Sequence, residues 1–65
     1  MKITTLEQAL GKRVKCTDGI ERVVKQFDSD MVWFEDQDHE SQVWDYHFRN
    51  IMEPLFLGGT VEEGE

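Results

Sequence analysis

Few residues in this chain are of a type that does covalent chemistry. Cys16 is the single cysteine, and His39 and His47 are the two histidines. A nucleophilic cysteine needs a base within hydrogen-bond reach and a polar, exposed setting. Cys16 lies between Lys15 and Thr17 with the parity of Val14, and neither histidine stands at a spacing that brings it near. It reads as a small buried hydrophobe, the usual place of a free cysteine. Asp36, Asp38 and Glu40 recur at every second position around His39. An EF-hand loop begun at Asp36 needs a glycine at its sixth place and a bidentate glutamate at its twelfth, where this chain has Ser41 and His47. A tetrahedral zinc site needs more cysteine or histidine than the chain has. No catalytic residue, metal or cofactor is expected, and 65 residues leave little room for a pocket of enzyme size.

Charge is the stronger signal. Residues 1–27 hold six basic and three acidic side chains, whereas residues 28–65 hold eleven acidic side chains and Arg49 alone, within a net charge of −7. Two surfaces follow. The first is an acidic face of Asp28, Asp30, Glu35, Asp36, Asp38, Glu40 and Asp45. On alternate positions of one strand, carboxylates stand roughly 6.5–7 Å apart, close to the phosphate spacing of a nucleic-acid strand. Such a face can imitate DNA and dock on a basic protein surface. The second is a basic patch of Lys12, Arg13, Lys15 and Arg22, with Arg13 and Lys15 facing outward and Arg22 across the following turn. Small barrels bind nucleic acid with such patches and aromatic platforms, but the overall acid excess opposes a phosphate backbone.

Seven aromatic residues in so short a chain serve as core or as anchors for a partner. Trp33, Trp44, Tyr46 and Phe56 are the candidate anchors. Trp33, Trp44 and Tyr46 with acidic neighbours would also suit a cage for a methylated lysine, although aromatics at strand spacing are more often core.

The elements that must position these residues are short. Thr5 and Gln8 form a capping-box pattern ahead of Leu6, Ala9 and Leu10, and Gly11 stops the turn. Arg13 to Thr17 alternates as a half-buried strand. Asp18-Gly19 predicts a two-residue type I′ hairpin turn, with positive φ at both positions. Ile20 to Phe27 returns as a second strand with a bulge expected at Val23-Val24. Asp28-Ser29-Asp30 is a turn, and Met31 to Phe34 is a strand apolar on both faces. Glu35 to Ser41 has no apolar residue and is expected as a solvated loop. Gln42 to Phe48 should be a fourth strand, with Trp44, Tyr46 and Phe48 on one face. His47 to Asn50 is expected to form a tight turn and Ile51-Met52-Glu53 a fifth strand ended by Pro54. Residues 55–65 would then be a lid or tail, partly disordered.

The expected class is therefore mainly β: a short N-terminal helix followed by a four- to five-stranded antiparallel sheet, one domain over residues 1–54. The Asp18-Gly19 hairpin and the His47–Asn50 turn, across residues 11–54, resemble the architecture of SH3-like small barrels. The acidic, Tyr-rich loop of peptide-binding SH3 domains is missing. An open antiparallel sheet with one helix packed on it is the other architecture this pattern allows. A chain of this length buries roughly 60% of its unfolded surface, so its aromatic residues or a partner subunit must compensate.

In size, acidity and aromatic content the chain is also similar to the small accessory proteins of bacteriophages and mobile elements, many of which inhibit or redirect a host protein. That resemblance implies a non-catalytic protein that docks on a basic surface of a nucleic-acid-handling protein. The alternatives are a nucleic-acid-binding barrel and a homodimeric assembly component joined through Ile51–Leu57. The first residues lack the apolar run of a signal peptide, no stretch would span a bilayer, and a lone cysteine suits a reducing compartment. Cytoplasmic localisation without membrane contact is expected, in a host cell if the chain is phage-encoded.

Overall fold

The computed structural model describes residues 1–37 and 44–61. It is mainly β, with helix α1 (Leu6–Ala9), strands β1 (Arg13–Lys15), β2 (Glu21–Phe27), β3 (Met31–Asp36) and β4 (Asp45–Phe48), helix α2 (Arg49–Phe56) and strand β5 (Thr60–Val61). The five strands form one antiparallel sheet in the order β4-β3-β2-β1-β5. Four strands meander, and the fifth returns beside the first.

The N-terminal turn forms as its caps dictate. Thr5 accepts the Gln8 backbone N–H through its hydroxyl at 3.4 Å, and Gln8 Oε1 accepts the Thr4 N–H at 2.8 Å. Leu6 and Ala9 are buried, but the helix stops at Ala9, so Leu10 turns outward into extended backbone rather than joining the packed face.

The hairpin between β1 and β2 is one residue longer than expected. Cys16 N–H donates to Ile20 C=O at 3.0 Å and Gly19 N–H to Cys16 C=O at 2.9 Å, leaving Thr17-Asp18-Gly19 as a three-residue loop. Only Gly19 takes positive φ, at 89°. Asp18 keeps negative φ and uses its carboxylate to accept the Ile20 N–H at 3.1 Å. The single left-handed glycine after a turn is the usual three-residue solution. It sets Val14 opposite Arg22. The two-residue turn would have set Lys15 there, and a slip of one residue moves a side chain to the opposite face. The bulge also lies further on: the β2–β3 register shifts between Val24 and Gln26, leaving Lys25 as the extra residue.

Glu35 and Asp36, expected in a loop, extend β3 and pair with Val23 and Arg22. The largest departure follows β4. His47 belongs to that strand, and the expected turn and fifth strand are replaced by α2, with Pro54 inside it. The apolar residues Ile51, Met52, Leu55 and Phe56 supply a helical stripe, of which Met52 and Phe56 are buried. Pro54 removes one backbone donor and its ring crowds the carbonyl one turn back, and the stripe's burial outweighs that cost. The segment expected as a lid or tail is therefore core: Phe56 is fully buried and meets Phe34 edge to face at 6.4 Å between centroids. β5 then pairs with β1. Residues 62–65 of the expected tail lie outside the described residues.

Ile3, Leu6, Ala9, Val14, Cys16, Val24, Val32, Phe34, Met52 and Phe56 form one core. Each large apolar side chain there contributes about 1.5–3 kcal/mol by leaving water. The chain start covers the outer edge of β5: Met1 and Val61 exchange main-chain hydrogen bonds, and Ile3 N–H donates to Gly59 C=O at 2.9 Å. Among the described residues, no helix is long and apolar enough to cross a membrane.

Candidate functional site

The side chains of β3 alternate between core and surface. Val32 and Phe34 are buried, whereas Met31 and Trp33 are half-buried on the opposite, outer face of the sheet. The register sets Met31 beside Phe48 and Trp33 beside Tyr46. By the same alternation, Tyr46 and Phe48 project to that outer face, 66% and 58% exposed, and Trp44, just ahead of the strand, is 42% exposed. Five large side chains thus gather at one end of the sheet. Beside them Met31, Tyr46, His47 and Phe48 line an open hollow of about 200 Å³. These exposed aromatics are the candidate contact residues of the chain.

Asp30 C=O accepts the Arg49 N–H at 2.8 Å. Antiparallel alternation then makes Val32–His47 and Phe34–Asp45 the hydrogen-bonded pairs of this ladder and turns the N–H and C=O of Tyr46 and Phe48 away from β3. Phe48 N–H is met there by its neighbour, donating to His47 Nδ1 at 2.8 Å, and the two rings stand edge to face. Among the described residues, no strand pairs with this edge of β4.

Of the expected anchors, Trp33, Trp44 and Tyr46 fall in this cluster and Phe56 does not, being core. Phe48 belongs to it and was missed, although its shared parity with Trp44 and Tyr46 is legible in the sequence.

The expected acidic face is divided. Asp28 and Asp30 sit in the β2–β3 turn, at one end of β3, whereas Glu35 and Asp36 end that strand roughly 17 Å away. Glu35 and Asp36 are adjacent in the strand and so point to opposite faces. Asp28 folds its carboxylate onto the Asp30 and Met31 N–H groups, both at 2.8 Å, and these bonds hold it below the usual carboxylate range. Glu35 pairs with Lys25 at 3.7 Å. Asp45 lies on β4 opposite Phe34. Asp38 and Glu40, and with them His39, lie outside the described residues.

The basic patch is divided as well. Lys12, Arg13 and Lys15 are exposed, and Arg13 meets Glu21 at 3.6 Å. Arg22 points inward and is 8% exposed. Its guanidinium makes a fork with the Asp18 carboxylate at 3.0 and 3.1 Å and lies 5.8 Å from the Phe34 ring centre. Cys16 is buried beside it, and burial pushes its thiol up despite the neighbouring guanidinium. Among the described residues, no three acidic, histidine or cysteine side chains lie together as a metal site would need.

Comparison with known proteins found no matching family model, no matching curated protein and no matching solved structure.

Proposed function

We propose that this chain is a non-catalytic binding protein that docks on a basic surface of another protein, using the outer face of β3 and β4. The observation that carries this reading is the cluster of Trp44, Tyr46 and Phe48, exposed beside Met31 and Trp33 on a chain of net charge −7. Exposed aromatics are the side chains that most often anchor protein interfaces, and surrounding acids steer a basic partner. The buried position of Cys16 supports a binding rather than a nucleophilic role. A surface that normally holds nucleic acid is the basic surface this charge suits best, and inhibition of its owner is the corresponding activity. The architecture is read as an SH3-like barrel, on the meander of four strands whose fifth returns beside the first.

The test is capture from nuclease-treated lysate of the source organism by the tagged chain, eluted with rising salt, alongside the Tyr46→Ala/Phe48→Ala variant. A stoichiometric protein released from the wild type and lost from the folded variant is expected. Equal capture by both would overturn the assignment of the face. Binding that disappears with nuclease would move the function to the Lys12, Arg13 and Lys15 side.

A further inference from the structure

The sheet has two ends, and they are treated differently. β5 is covered by the Met1–Ile3 segment, whereas β4 presents the outward main-chain groups of Tyr46 and Phe48 with no pairing strand among the described residues. An unpaired edge is a template for another strand. We propose that its occupant is the same edge of a second copy, joined antiparallel about a two-fold axis through Tyr46. This goes beyond the docking proposed above, because it uses the strand edge and leaves the outer face available.

The argument is self-complementarity. A two-fold interface brings residue i to j and j to i. Centred on Tyr46, the pairing sets Tyr46 against Tyr46 of the second copy and Trp44 against Phe48. Tyr46 and Phe48 turn their main-chain groups outward, and with the strand continued through Trp44 on pairing, about six hydrogen bonds form across the axis. The same register sets Asp45 opposite His47, twice, at the closely spaced non-hydrogen-bonded positions, where side chains interact most strongly. An acid thereby faces an imidazole instead of another acid. The exposed aromatics also fall into cross-strand pairs on the outer face, a stabilising arrangement.

Other registers are worse. Centring on Asp45 opposes two carboxylates. Centring on His47 opposes His47 to itself and brings Asp45 to Arg49, which belongs to α2 and lies beyond the strand. In the isolated chain His47 Nδ1 accepts the Phe48 N–H. On pairing, that N–H passes to the Trp44 carbonyl of the second copy, and the imidazole is released toward Asp45. His47 thus shields the edge in the monomer and contacts the partner copy in the dimer.

The experiment is sedimentation equilibrium of the purified chain at 150 mM salt, which screens the repulsion of two acidic copies beyond about 8 Å. Loading would run from about 10 μM to about 1 mM, the range in which a weak two-fold contact is read. The wild type should move from 7.7 kDa toward twice that mass. Tyr46→Pro removes an outward N–H that β3 does not use, and His47→Asp sets acid against acid. Each should raise the dissociation constant at least tenfold while circular dichroism shows the fold retained. Amide shifts on dilution should centre on residues 44–48. A mass that stays at 7.7 kDa, a dimer unchanged by His47→Asp, or dilution shifts centred on α2 would each overturn the proposal.

Discussion

Asp18 and Arg22 are joined by two hydrogen bonds of 3.1 and 3.0 Å, one from each terminal guanidinium nitrogen, and this fork ties the β1–β2 loop to the core. Arg22 is buried and Asp18 is not, so the acid reaches inward to neutralise a cation the fold has enclosed. Removing only the acid leaves a buried charge without its partner, whereas replacing both groups leaves neither. Asp18→Ala should therefore cost about 1.5–3 kcal/mol. Asp18→Ala/Arg22→Met should recover part of that, the rest being the lost Asp18–Ile20 bond. Urea denaturation of the three variants checks this, and equal losses in single and double variants would refute it.

The same pair sets a pH dependence. The Arg22 hydrogen bonds and the Ile20 N–H hold the Asp18 carboxyl below its ordinary value. A lowered acid stabilises the fold above the unfolded carboxylate value near 3.9 and loses that contribution as pH falls through the folded one. Urea midpoints should thus be level from pH 7 to about 5 and decline below about 4. Asp18→Asn should start lower and decline less over the acid range.

Two glycines respond differently to alanine. Gly19 has positive φ with nothing within 4 Å of an added Cβ, so its cost is backbone strain alone, about 1 kcal/mol, and Asn should cost less. At Gly59 an added Cβ would stand 2.7 Å from Lys15 O and 2.9 Å from Val14 Cγ1, pushing β5 off β1. Gly59→Ala should be the more damaging by at least about 1 kcal/mol, as overpacking of a close contact. Thermal melts of both variants decide it, and a reversed order would sink the argument.

These positions also show where the sequence was legible. The Thr5–Gln8 turn, β1 and the apolar run of β3 depend on residues a few places apart, and their patterns were readable. Arg22 was not, because its face depends on whether the hairpin loop holds two residues or three, and Asp-Gly serves both. The acidic residues were expected on one face, but their grouping depends on which strand end each occupies. α2 was missed because Pro54, directly after Ile51-Met52-Glu53, suggested the end of a short strand. The competing stripe of Ile51, Met52, Leu55 and Phe56 wins through tertiary burial, which local pattern does not weigh.

That burial makes the C-terminal segment indispensable. Phe56 packs on Phe34 and is fully buried, so Phe56→Ala should cost about 3–5 kcal/mol. Ending the chain at Pro54 removes Phe56 and β5 together. The truncated chain should lose its folded far-ultraviolet dichroism, and a cooperative melt from it would contradict the place of α2 in the core.

Arg49 links the β2–β3 turn to α2. Its guanidinium donates to Asp28 C=O at 2.9 Å and Glu53 Oε2 at 3.2 Å, and it lies 5.1 Å from the Phe27 ring centre. Each contact is partly solvated, so the set should contribute only about 1–2 kcal/mol. Lysine keeps the charge but cannot make the planar fork that holds the β2–β3 turn, α2 and an aromatic face at once. Arg49→Lys should therefore fall nearer to Arg49→Ala than to wild type in urea denaturation. If lysine restored full stability, charge rather than shape would hold this corner, and the orientation of α2 against β4 would need another cause.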